Sequence, residues 1–267
     1  MNDGPEQLIK FCKKEHNIHS GAALRIGTLY DYRHIENPEI RDAEEGKYTF
    51  LIDFPEEITL DRRWSNLLLQ GAVGFGGSDD TPRFAGSMNA SIENLYIVEQ
   101  RGENVVVRDT RIRIEREVPN CFMFCMSLMS AATKPFDGYD DKWIIPFQQV
   151  QSFANTLAGL FFEQIPLACF EGSITKALTP KTASMLSLNI QHRPVIYEDR
   201  HLVITEQNRP SYDRLIEVLS NMAFTKPRKF EAEQEYRFVF ELNNGRRLFQ
   251  PAENHFMIQP NPFKNLI

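Results

Sequence analysis

The run NLYIVEQRGENVVVRDTRIRIE, residues 94–115, limits the fold more than any other stretch of the chain. β-branched and aromatic residues crowd both sides of Arg101-Gly102-Glu103-Asn104, and a turn cluster between two such runs predicts a β-hairpin or meander. In the second arm Arg111 and Arg113 alternate with Ile112 and Ile114, the period of a half-exposed strand. Upstream, KYTFLIDFPEEITL at 47–60 reads as one or two strands, with Pro55 imposing a break or an edge. Downstream, Pro119-Asn120 opens the apolar strand CFMFCMSLMS. A chain this rich in strands over its first half needs a sheet at its centre.

Helical patterning is sparser. In PFQQVQSFANTLAGLFFEQI the apolar residues Val150, Phe153, Leu157, Leu160 and Phe161 recur at helical spacing, which predicts a helix packed on a sheet. SYDRLIEVLSNMAFT opens with Ser211 as an N-cap to a second amphipathic helix. QLIKFCKKEHNI, apolar at 8, 9, 11 and 12, predicts a short N-terminal helix before the strand-like ALRIGTLYDY. CFEGSITKAL and RPVIYEDRHLVIT return to strand patterns. With no internal repeat, low-complexity tract or linker, one α+β domain over residues 1–267 is the expectation.

Composition narrows the function classes. With 267 residues, 42% of them hydrophobic and 25% charged, the chain has enough apolar material for a substantial core. It has no run of eighteen apolar residues, and its opening MNDGPEQLIKFCKKEH is too polar for an export signal, so a cytoplasmic protein with no membrane partner is expected. A net charge of −6 argues against a broad phosphate-binding surface, although Arg62, Arg63, Arg111 and Arg113 form a local basic set. The four cysteines, Cys12, Cys121, Cys125 and Cys169, contain no C-x-x-C pair and read as buried free thiols rather than zinc ligands. The six histidines, at 16, 19, 34, 192, 201 and 255, are scattered, and neither H-E-x-x-H nor G-x-S-x-G occurs. The five glycines within GAVGFGGSDDTPRFAGS, 71–87, precede no helix and read as a loop rather than a phosphate cradle. No metal site is expected.

Two acidic stretches remain. The loop Arg41-Asp42-Ala43-Glu44-Glu45-Gly46 lacks calcium-loop spacing and reads as a solvated turn or a structural ion-pair cluster. KFEAEQEYRFVFEL, 229–242, places Glu231, Glu233, Glu235 and Glu241 around an apolar strand. As a strand over 233–240, it sets Glu233, Glu235 and Arg237 on one face, the two acids about 7 Å apart at a rise of ~3.3 Å per residue. Such a pair either decorates an edge, ion-paired through Arg237, or forms a site in which a fixed carboxylate bonds a sugar hydroxyl and steadies a developing oxocarbenium ion.

Taken together, LRIGTLYDYR at 24–33, Asp42-Ala43-Glu44-Glu45-Gly46, Cys125-Met126-Ser127, and Lys226-Pro227 through Phe230, Glu233, Glu235, Tyr236 and Arg237 resemble a group of bacterial and phage proteins with a terminal E-x-E-Y-R strand. That group is distantly similar to the ADP-ribosyltransferase superfamily, including DarT-like toxins. The resemblance implies a split, antiparallel-rich β-sheet with flanking helices, NAD bound as substrate in the cleft, and transfer of ADP-ribose to a macromolecular target in bacteria–phage conflict. It assigns Glu235 and Glu233 as catalytic. Arg25 and Ser127 become NAD-binding residues, with Tyr30, Tyr32 or Tyr139 stacking on the nicotinamide. A catalytically inactive sensor or interaction protein on the same scaffold is the alternative. A metal-dependent nuclease using Asp42, Glu44 and Glu45 is a third reading.

Overall fold

The computed structural model describes residues 7–35, 41–69, 72–76, 81–129, 137–166, 169, 185–245 and 247–259. Strand CFEGSITKAL, expected at 169–178, lies outside the described residues apart from Cys169. Contacts divide the chain into two units, one built from residues 1–45, 120–197 and 226–267, the other from 46–119 and 198–225.

The first unit is organised around the strand Phe122–Leu128, FMFCMSL, of which six of the seven residues are buried. A strand covered on both faces has no reason to alternate, which is why this one reads as a continuous apolar run. Along one edge it pairs antiparallel with Glu235–Asn243, from Glu235 opposite Ser127 to Phe240 opposite Phe122. Its other edge is shared. Gln7–Cys12 pairs there only with Ser127 and Leu128, whereas Leu24–Thr28 pairs only with Phe122 and Met123. On this edge no described residue pairs in register with Phe124–Met126, so the sheet splits between the two strands. Asp141–Pro146 extends the sheet beyond Gln7–Cys12, His255–Ile258 beyond Leu24–Thr28, and Ser187–Pro194 beyond Glu235–Asn243, all antiparallel.

Gln7–Cys12 is a strand where helix was expected. Its apolar residues at 8, 9, 11 and 12 mimic helical spacing because both of its faces carry apolar side chains. The helix Val150–Gln164 forms as its pattern predicts and buries Val150, Phe153, Ala154, Leu157, Leu160 and Phe161. It covers the face of Glu235–Asn243 that carries Tyr236, Phe238 and Phe240. Phe161 stacks on Phe240 with ring centroids 4.7 Å apart, and Phe153 meets Phe238 edge-on at 5.4 Å. The opposite face of the same strand carries Glu235, Arg237, Val239 and Glu241.

In the second unit, Ser87–Arg101 and Asn104–Glu117 form the expected hairpin, turning through Gly102 at φ 56°. Lys47–Phe54 and Ile58–Asp61 pair antiparallel with Asn104–Glu117, and His201–Ile204 adds a parallel strand to Lys47–Phe54. The helix Tyr212–Ser220 begins at Ser211, whose hydroxyl accepts from the Arg214 N–H. The basic set is neutralised locally. Arg62 pairs with Glu103, Arg63 with Asp61, Arg111 with Asp53 and Glu93, and Arg113 with Glu115. Among the described residues no helix is long and apolar enough to cross a membrane.

Candidate functional site

The terminal motif is built by a turn and a strand rather than by a strand alone. Lys226 is followed by Pro227, whose fixed φ leads into a 3₁₀ turn, Arg228–Glu233. Gln234 then takes the left-handed conformation, φ 46° and ψ 46°, before Glu235 enters the sheet. Glu233 therefore ends the turn and is not a member of the strand face predicted for it. The left-handed residue between the acids breaks the alternation and brings both carboxylates to Lys226. Lys226 Nζ lies 2.7 and 2.9 Å from the two Glu233 oxygens and 3.2 Å from Glu235 Oε2. Its stem packs over the buried Phe230, with Nζ 4.6 Å from the ring centroid.

Arg237 completes the cluster. Its Nε donates to Glu235 Oε1 at 2.8 Å and its Nη2 to Oε2 at 3.2 Å. Toward Glu45, Nη1 and Nη2 donate at 3.0 and 3.2 Å. Glu45 and Arg237 are both 0% exposed, so the acidic loop contributes a buried ion-pair partner, one of the two roles its composition allowed. Arg33 reinforces the loop by donating from Nε to the Glu45 carbonyl at 2.9 Å. The Glu235 N–H donates to the Tyr197 hydroxyl at 2.7 Å.

Three buried carboxylates here face two cations, and the imbalance falls on Glu233. Burial, and then the negative charge of Glu235, push its carboxyl up to about 8. Burial acts on Glu235 in the same direction, but the Arg237 guanidinium and Lys226 overcome it and hold that carboxyl well below the usual range. The two adjacent acids are thus pushed in opposite directions, the arrangement in which one carboxyl can donate a proton while its neighbour stays ionised.

A cavity of about 270 Å³ opens beside this cluster, at the split in the sheet. Arg25, Ser127, Glu233 and Glu235, chosen from sequence, all line it, as do Tyr32 and Tyr139. Tyr30 does not; Arg33 instead lies over its ring, 3.7 Å from the centroid. Ser127 is buried opposite Glu235 in the ladder. Arg25 is bonded through Nη2 to Asp31 Oδ2 at 2.5 Å, with its side chain 46% exposed. Burial pushes the Tyr32 hydroxyl and the Cys125 thiol well above their ordinary values.

Sequence reasoning did not assign Lys10 or Lys226 to the site, and it took Glu45 only as an ion-pair or metal-ligand candidate of the acidic loop. Lys10 interrupts the apolar run QLIKFC, and a lysine inside an otherwise buried strand is the signal that marks it. Its Nζ donates to the Cys125 carbonyl at 2.7 Å, at the level where the ladder has no strand partner. Among the described residues no three His, Cys, Asp or Glu side chains gather as metal ligands, and Glu45, required by the nuclease reading, is committed to Arg237. No family model, curated protein or solved structure matches the chain.

Proposed function

We propose that this cavity binds a ribosyl nucleotide of the NAD class and that the chain is an ADP-ribosyltransferase-like protein acting on a macromolecule in bacteria–phage conflict. The observation that carries the reading is the convergence of Arg25, Ser127, Glu233 and Glu235, distant in sequence, on one cavity. At about 270 Å³ the cavity suits one end of such a ligand, the nicotinamide riboside, since small-molecule sites run from roughly 300 Å³ upward. Ionised Glu235 would face the positive charge that develops at the anomeric carbon. Tyr32 and Tyr139 offer aromatic surface to the nicotinamide, and the half-exposed Arg25 offers its planar fork to a phosphate.

One observation favours the sensor reading beside it. Both Glu235 oxygens already accept from Arg237, and Lys226 lies against one of them. A carboxylate so neutralised stabilises a new cation less than a free one does. Calorimetric titration with NAD, followed by incubation of labelled NAD with protein and a cell lysate, separates the two. Binding with label transfer that Glu235→Gln abolishes supports the transferase. Binding without transfer supports the sensor, and no binding overturns both. Ser127→Ala, which leaves the ion cluster intact, is the companion variant should Glu235→Gln fail to fold.

A further inference from the structure

Two lysines line the cavity in contrasting surroundings. Lys226 has carboxylate oxygens of Glu233 and Glu235 within 2.7–3.2 Å and is locked as an ammonium. Lys10 reaches the same space from Gln7–Cys12, yet among the described residues no carboxylate lies within 4.0 Å of its Nζ. Its hydrogen bond goes to a neutral acceptor, the Cys125 carbonyl, and the Phe124 ring sits 4.9 Å away. The nearby charge of Glu235 is already taken by Arg237 and Lys226. Burial pushes the Lys10 ammonium below its ordinary value. An amine facing a cavity with no carboxylate partner of its own lacks the pairing that would hold it as an ammonium, which favours the free base that acts as a nucleophile.

We infer that Lys10 is a carbonyl-reactive amine and that the cavity captures small hydroxylated aldehydes, the ring-opened form of a sugar among them, as an imine on Nζ. The nitrogen lone pair forms the new bond to the aldehyde carbon. The carbonyl oxygen then leaves as water, taking both hydrogens of the neutral amine, so no oxidant or reductant enters. Glu233, Glu235 and Ser127, on the wall of the same cavity, supply hydrogen-bonding partners for the hydroxyls of such a ligand. This activity does not require NAD and stands or falls apart from the nucleotide reading.

The test is reductive trapping on the full chain with glycolaldehyde and cyanoborohydride at pH 7, read by peptide mass spectrometry. Lys10 is expected to be alkylated about tenfold or more faster than the exposed Lys13, Lys14 and Lys229. Unfolding the chain in guanidinium should erase the difference. Equal labelling of all four lysines in the folded protein overturns the inference, as does a fast Lys10 that stays fast when unfolded. A paired, protonated Lys10 serving only to hold a ligand anion would give the first of these results.

Discussion

Arg237 and Glu45 meet through two hydrogen bonds, of 3.0 and 3.2 Å, although 192 positions separate them in the chain and neither side chain is exposed. Arg237→Met leaves Glu45 and Glu235 as buried anions short of a partner, which costs about 3–5 kcal/mol for a broken buried pair. Urea denaturation should show a loss of that size. Combining the variant with Glu45→Gln should recover part of it, because the second change removes one of the stranded charges.

The two site glutamates bend the pH dependence of stability in opposite directions. Glu235, held low in the folded state, contributes stability that is full above the ordinary carboxylate range and is lost as pH falls below about 4.5. Glu233 is raised to about 8, so the folded state binds a proton that the unfolded chain releases, and stability falls as pH rises from about 4.5 toward 8. Wild type should therefore lose at least about 1 kcal/mol relative to Glu233→Gln between pH 5 and pH 8, in chemical denaturation at fixed ionic strength. A constant difference across that interval would contradict the raised Glu233.

Gly86→Ala tests the second unit. Gly86 has φ +115°, and a Cβ there would lie 2.1 Å from the Glu117 carbonyl oxygen, a backbone atom with no rotamer through which to retreat. The hairpin must shift at its open end, at an expected cost of about 2–3 kcal/mol. Thermal melting followed by circular dichroism reads it.

Phe161→Ala removes the ring that stacks on Phe240 at 4.7 Å and meets Phe122 edge-on at 5.3 Å. Truncation of a fully buried aromatic costs about 3–5 kcal/mol, and denaturant unfolding should show it.

What could be read from sequence depended on how local the cause was. The Val150–Gln164 helix, the Gly102 turn and the Ser211 cap each follow from residues within a few positions of one another. Gln7–Cys12 misled because alternation is a property of a strand with one wet face, and here buried and partly exposed residues fall on both faces. In the site, Glu235 and its neighbour Arg237 follow from strand alternation, whereas Glu233 depends on the left-handed Gln234, which nothing in its side chain announces. Glu45 sits in a loop whose polar composition allows a solvated turn as readily as an ion-pair cluster and names no partner. Only the fold brings it to a guanidinium that must be buried, and that demand originates at the far end of the chain.

The split beside Phe124–Met126 has a consequence for how this cavity can change. At a sheet's rim, water serves whatever the ladder leaves over. Here the carbonyl of Cys125 is served by the amine of Lys10, so that one side chain both closes the main-chain ledger and furnishes the cavity. Redesign at position 10 is thereby confined to residues long enough to donate across the gap. The walls contributed by Arg25, Tyr32 and Tyr139 carry no such duty toward that carbonyl, and they are where specificity has room to drift.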